Sequence, residues 1–282
     1  PSSLLTPLDV GIFLGIIALT LGVIALGHYR TPNKSDPTKP GDLVEYLVMG
    51  RTLSLPFFTA TLVATWSGGL FGVTEIAFEF GICNFLTQGV FWYLTYILFA
   101  AFIVPRLRAY DAMTLPELIS RMFGPKAGKV AAVFNFFNVV PVTYALSVGL
   151  LTQALFGGAL WVNMAIGTAV VAIYAMFGGL RAVVLSDVVQ FGVMCGAVVL
   201  VAGISISTFG GYDFLKANLP PSHFDPRGGN SLSTTLVWGF IALSTLVDPN
   251  FYQRCFAAES PQTARRGILI ATGIWCAFDL CT

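Results

Sequence analysis

Between Val130 and Phe156 the chain carries no charged residue, between Leu8 and Leu26 only Asp9, and between Val183 and Ser207 only Asp187. Such runs decide the solvent before they decide the fold. About 20 apolar residues in a helix match the ~30 Å hydrocarbon core of a bilayer. Inside hydrocarbon, every peptide group has to be bonded within its own segment, so helices are the natural solution. With 56% hydrophobic and 10% charged residues over 282 positions, a soluble globular domain is excluded. The chain reads as an all-α polytopic membrane protein, a single transmembrane domain over residues 1–282, with the lipid bilayer as its first partner.

Taken in order, Leu8 to Leu26 is a first span, and His28 to Ser54 is a polar loop with Pro32, Pro37 and Pro40. Leu53 to Phe80 is long enough to cross a bilayer but carries Ser67, Gly68 and Gly69 near its middle. Each glycine costs a helix interior about 1 kcal/mol against alanine. A break there, away from water, survives if it lines a cavity or binds something, or if the small residues let helices pack closely. On the first reading Thr61, Thr65, Ser67 and the carbonyls near Gly68 form an oxygen-rich site at midplane depth, as in the discontinuous helices of transporters.

Cys83 to Val104 follows as a span ending at Pro105 and Arg106. The loop to Lys129 holds a short interfacial helix, with Thr114 as N-cap, Pro116 and Glu117 in its first turn and Gly124 as its stop. Val130 to Phe156, Leu160 to Phe177, Val183 to Ser207 and Leu232 to Leu246 are further spans. Asp248-Pro249-Asn250 either interrupts the last of these or ends it at the membrane surface, since proline removes a donor and disfavours helix before it. Gly267 to Thr282 opens another apolar run, shorter than a span, and the chain reads as a piece of a longer protein.

Charge sorting gives the orientation. With the N-terminus outside, every basic residue but Lys216 and Arg227 falls on inner loops, as the positive-inside rule requires. Basic residues sorted by loop form no patch, which argues against a nucleic-acid partner. Cys83, Cys195, Cys255, Cys276 and Cys281 show no metal spacing and read as buried thiols. His28 and His223 fall in loops on opposite sides, so no nucleophile, base or metal cluster converges and an enzyme is not expected. The broken span at Leu53 and the span from Leu232 have opposite directions with five spans from the first to just before the second, the pattern of an inverted repeat.

Four motifs in order resemble the sodium:solute symporter family. Gly178 to Gln190, GGLRAVVLSDVVQ, resembles its signature of a Gly-Gly turn leading into a helix with Ser/Thr-Asp-x-x-Gln. Met49-Gly50-Arg51 with Leu53 to Pro56 resembles the approach to its first core helix, Thr114 to Gly124 its T-x-P-E loop, and Phe251 to Arg266, FYQRCFAAESPQTARR, its Y-Q-R loop. The resemblance implies a leucine-transporter-type inverted-repeat helix bundle. Leu8 to Leu26 would be an extra N-terminal helix, Leu53 to Ser207 the first five-helix repeat, and Leu232 onward the start of a second, truncated repeat.

It further implies a sodium-coupled symporter that moves a small polar or organic solute by alternating access. Na+ would be the coupling ion, no organic cofactor would be needed, and the oligomeric state is left open. Asp187 matches the family's aspartate near the cytoplasmic sodium exit. An intramembrane carboxylate needs a cation or a wet cavity in any case; the structural alternative is a helix cap or a pair with Arg181. The main sodium site would take backbone carbonyls at Ala64 and Ser67, or one residue earlier at Val63 and Trp66, with its hydroxyl ligands on a helix beyond this chain.

For the solute, Thr61, Thr65, Trp66, Gly68, Gly69, Tyr144 and Asp248 are the candidates. Trp66 offers a cation-π surface, but a quaternary-ammonium cage wants several aromatic walls, which Pro141 and Asp248 do not supply. The localisation implied is a bacterial inner membrane, N-terminus extracytoplasmic. The rival function is a symporter-like sensor domain feeding a signalling module such as a histidine kinase.

Overall fold

The computed structural model describes residues 6–30, 40–65 and 70–282. Among these residues the chain is helical, apart from one isolated β-bridge between Leu53 and Ala258. Five stretches are long and apolar enough to cross a membrane: Pro7–Gly27, Phe85–Tyr110, Pro125–Phe156, Gly178–Phe209 and Leu232–Ala257.

The first helix, α1 (Pro7–Arg30), starts at a proline and a reciprocal cap. Thr6 N donates to Asp9 Oδ2 at 2.8 Å, and Asp9 N donates to Thr6 Oγ1 at 3.3 Å, which satisfies two otherwise orphaned amides. Next, α2 (Pro40–Val48) runs through a short 3-10 turn to α3 (Leu55–Ala64), while α4 (Leu70–Phe80) is a separate helix. The expected span at Leu53 holds α3 and α4, and its centre at Trp66, Ser67, Gly68 and Gly69 lies outside the described residues.

The next span alternates two π-helical stretches, Phe85–Val90 and Phe99–Ile103, with α5 (Phe91–Leu98) and α6 (Val104–Leu107). Thr114 caps α7 (Leu115–Phe123) by accepting from Glu117 N at 3.3 Å, and Gly124 ends it at φ 92°. The span from Val130 bends at Pro141, where α8 (Pro125–Val139) gives way to α9 (Val142–Phe156).

The two expected spans at Leu160 and Val183 are the arms of α10 (Leu160–Phe209), which reverses at Gly179. Its φ of 56° is the left-handed region that glycine adopts without strain, and a Cβ there would stand 2.5 Å from the carbonyl oxygen of Tyr46. After α11 (Tyr212–Asn218), the span from Leu232 divides as the sequence predicts. Helix α12 (Leu232–Ala242) and a 3-10 turn lead to Asp248 at φ −75°, ψ 114°, and α13 (Pro249–Ala257) restarts beyond it. Phe251, Tyr252, Cys255 and Phe256 of α13 are buried, so this segment continues into the protein and does not end at its surface.

The last helix, α14 (Pro261–Cys281), begins six residues before the apolar run and has 21 residues. At 1.5 Å per residue that is about 31 Å, close to the thickness of a bilayer core.

The core lies where α3, α5, α13 and α14 meet, around Phe58, Leu62, Phe99, Phe256, Ile268 and Trp275. In lipid no hydrophobic force draws helices together, so close packing and polar contacts have to hold them. Gly267 illustrates this on α14, where a Cβ would overlap the ring of Phe58 on α3. By contrast, α1, α8, α9 and α10 turn Leu8, Phe134, Val142 and Val199 outward with most of their surface exposed, as a lipid-facing shell requires. The five cysteines are free; Cys83 and Cys255 are buried as expected, but Cys281 is exposed at the end of α14.

Candidate functional site

Helix α3 carries Pro56 in its first turn, where a missing N–H costs nothing, and buries every residue from Phe58 to Ala64. It packs between α10 and α14, so the hydroxyl of Thr61 points at side chains that are distant in sequence. Thr61 Oγ1 donates to Asp187 Oδ2 on α10. Arg254 of α13 completes the group: its Nε donates to Thr61 Oγ1 at 3.2 Å, its Nη2 to Asp187 Oδ2 at 3.3 Å, and its Nη1 to the Asn250 carbonyl at 3.3 Å. Only 6% of the Arg254 side chain and 12% of the Asp187 side chain are exposed. Burial of this degree makes the pair strongly interdependent, because either charge alone would be uncompensated.

Asp187 is paired, as the structural alternative holds, but its partner is not Arg181. Arg181, six residues earlier, bonds Glu45 of α2 at 2.5 Å, and the cation beside Asp187 is Arg254. Gly179 kinks α10 just before Arg181, which meets α2, while the helix break at Asp248 precedes α13, which meets Asp187. Arg254 is the residue that sequence reasoning missed as a partner. Its signal was a lone guanidinium on an apolar, bilayer-length stretch, which needs a counter-charge.

The end of α3 is more committed than the sequence implied. The Val63 carbonyl, a candidate sodium ligand, accepts the indole N–H of Trp275 at 3.3 Å and the amide of Thr65. Thr65 turns its hydroxyl back to the Leu62 carbonyl at 2.6 Å. Ala64 is buried beside them, and the remaining candidates Trp66, Ser67, Gly68 and Gly69 fall outside the described residues. Asp248 caps α13, its Oδ1 accepting from Asn250 N at 2.9 Å. Tyr144 is 53% exposed on α9 and is not drawn into the Thr61 group. Among the described residues no three His, Cys, Asp or Glu side chains converge on a metal-like site.

Around one end of this group the backbone forms a clasp. Leu53 N donates to the Ala257 carbonyl at 2.9 Å and Glu259 N to the Leu53 carbonyl at 3.1 Å. Arg108 Nη2 donates to the Ala258 carbonyl at 2.5 Å, and Gln253 Nε2 to the Leu47 carbonyl at 3.1 Å. The approach to α3, the exit of α13 and the end of the α5–α6 span are thus tied together.

A second buried polar pair stands on α14 one helical turn beyond Trp275. Tyr93 donates its hydroxyl to Asp279 Oδ2. Gly89 leaves room for both, since a Cβ there would lie 2.9 Å from Tyr93 Oη and 3.2 Å from Asp279 Oδ2. Next to this pair, Tyr96 packs on Trp275 at 4.8 Å and on Phe251 at 5.1 Å between ring centroids.

The family model for the sodium:solute symporter family matches residues 46–281. The osmoregulated proline transporter OpuE of Bacillus subtilis is 34% identical over 191 residues, covering 61% of this chain and 37% of that protein. The sodium/glucose cotransporter of Vibrio parahaemolyticus is 24% identical, covering 94% of this chain and 52% of that protein. The sodium/pantothenate symporter of Escherichia coli is also 24% identical, covering 94% and 57%. The chain spans about half the length of these relatives. A family match over this much of the sequence, on an all-helical membrane fold with the four motifs in order, places the chain in the sodium:solute symporter family.

Proposed function

We propose that this chain forms part of a sodium-coupled symporter that moves a small polar solute across a cell membrane by alternating access. The observation that carries the reading is the family match over residues 46–281, which takes in α3, α10, α13 and α14. Relatives named for proline, glucose and pantothenate transport support sodium symport of small metabolites as a class. The interrupted helices fit the same reading: α3 with α4, and α12 with α13, are the counterparts that two opposed five-helix repeats require.

In this proposal the N-terminus is extracytoplasmic, the membrane is the bacterial inner membrane, and the backbone clasp with the Thr61, Asp187 and Arg254 group lies at the cytoplasmic end. In this reading the clasp closes that end. Opening it requires α13 to leave α3 and α10, which separates Arg254 from Asp187. A sodium ion leaving by this route takes the place of the guanidinium beside the carboxylate, so Asp187 is not left unpaired in a low-dielectric region. The solute occupies the stretch between Thr61 and Leu70.

The test is uptake of labelled L-proline, D-glucose and pantothenate into proteoliposomes under an inward sodium gradient. Accumulation of one of them, abolished by a sodium ionophore, is expected. Equal uptake with potassium in place of sodium would end the proposal. Orientation is read in a cysteine-free background: an impermeant thiol reagent outside intact cells should label Lys216→Cys and spare Lys126→Cys.

A further inference from the structure

Among the described residues, Asp279 is a buried carboxylate whose hydrogen bonding is left incomplete. Asp279 is 7% exposed, and its Oδ2 takes the Tyr93 hydroxyl. Its other oxygen, Oδ1, is buried with no hydrogen-bond partner among the described residues. A carboxylate oxygen held in that state is costly, and proteins retain such groups where a ligand completes them. The position is also built: it relies on the absence of a side chain at Gly89, and Gln88 beside it has an amide nitrogen that is likewise buried without a partner.

The surroundings define what completes the carboxylate. One turn away on both helices, Tyr96 and Trp275 form a contiguous aromatic wall with Phe251 of α13. A carboxylate oxygen left bare beside a set of aromatic rings favours a cation. A bare hard cation wants about six oxygens, and no three carboxylate, histidine or cysteine groups converge here among the described residues. An ammonium group on an organic solute needs less: one strong acceptor and apolar or π surfaces around its carbon substituents.

We infer that Asp279, positioned by Tyr93 and Gly89, binds the ammonium group of an organic solute, so that the protein selects amine-bearing solutes over neutral sugars and carboxylates. The inference rests on the symport reading for its physiological sense and deepens it by naming the substrate class. It is tested separately, by equilibrium binding to the whole protein in detergent with sodium present. L-Proline and choline are the ammonium-bearing probes, N-acetyl-L-proline is the matched probe without the charge, and D-glucose is the neutral control.

Binding of an ammonium probe and rejection of the other two is expected in the wild type. Asp279→Asn should raise the dissociation constant about tenfold or more, because a charge-assisted bond is lost. Gly89→Ala, which keeps the carboxylate but pushes on it, should weaken binding several-fold. Three outcomes overturn the inference: D-glucose or N-acetyl-L-proline binding as well as the ammonium probes, no ammonium probe binding at millimolar concentration, or Asp279→Asn binding with wild-type affinity. Asn mimics a protonated carboxyl, so the last would mean that the group works uncharged. The uptake assay fails independently of these, since loss of sodium dependence leaves the binding preference intact.

Discussion

Arg254 and Asp187 face each other at 3.3 Å, 67 residues apart in sequence, with the Thr61 hydroxyl bonded to both. Removing one member of such a pair leaves a buried charge, at a cost of about 3–5 kcal/mol, whereas replacing both by apolar residues is often neutral. Arg254→Leu should therefore lower thermal stability in detergent sharply, and the double variant Arg254→Leu with Asp187→Leu should regain most of it. Thermal unfolding followed by size-exclusion recovery measures both. If the double variant is as unstable as the single one, the pair is not what holds these helices.

Asp187 should act on the cation and not on the solute. Asp187→Asn keeps the shape and removes the charge, so the sodium concentration for half-maximal transport is expected to rise several-fold. Solute affinity at saturating sodium should change much less, as coupling through the ion alone requires. Paired sodium and solute titrations separate the two; a loss of solute affinity that high sodium does not restore would give Asp187 a different role.

Gly179→Ala should destabilise the protein although the added group is one methyl. The position has φ 56°, and the new Cβ would press on the Tyr46 carbonyl at 2.5 Å. Strain of this kind costs about 1–3 kcal/mol. Gly192→Ala, on the same helix with nothing within 4 Å of its Cβ position, is the control expected to leave unfolding unchanged.

The loop before α12 should loosen in acid. The Arg227 amide, with that of Gly229, donates to Asp225 and holds its carboxyl below the usual carboxylate range. A depressed native pKa stabilises above the unfolded value of about 3.9 and is lost as the pH falls through the native one. Hydrogen exchange at the Arg227 and Gly229 amides, relative to unstructured peptide rates, should therefore accelerate below about pH 4. Asp225→Asn should flatten that dependence; an unchanged profile would count against it.

The features legible in the sequence were those set by local chemistry. Thr114 and Gly124 bound α7 because capping needs only neighbours three or four residues away, and Asp248-Pro249 broke its span for the same reason. What stayed hidden was pairing at a distance. Nothing near Asp187 names Arg254, and Tyr93 lies 186 residues from Asp279. Asp279 could have been singled out as the one carboxylate in the apolar run from Gly267 to Thr282. The bond from Trp275 to the Val63 carbonyl was hidden for a related reason, since it follows from how closely Gly267 lets α14 approach α3.

The link from Leu53 to Ala257 and Glu259 is made of peptide groups, not side chains. A fastening of this kind has no charge for salt to screen and no proton to gain or lose between neutral and acid pH. Proline at Leu53 or Glu259 would remove a donor from it. The two strips of chain can part only if one is carried bodily away from the other, so the fastening responds to helix movement and is deaf to the ionic composition around it.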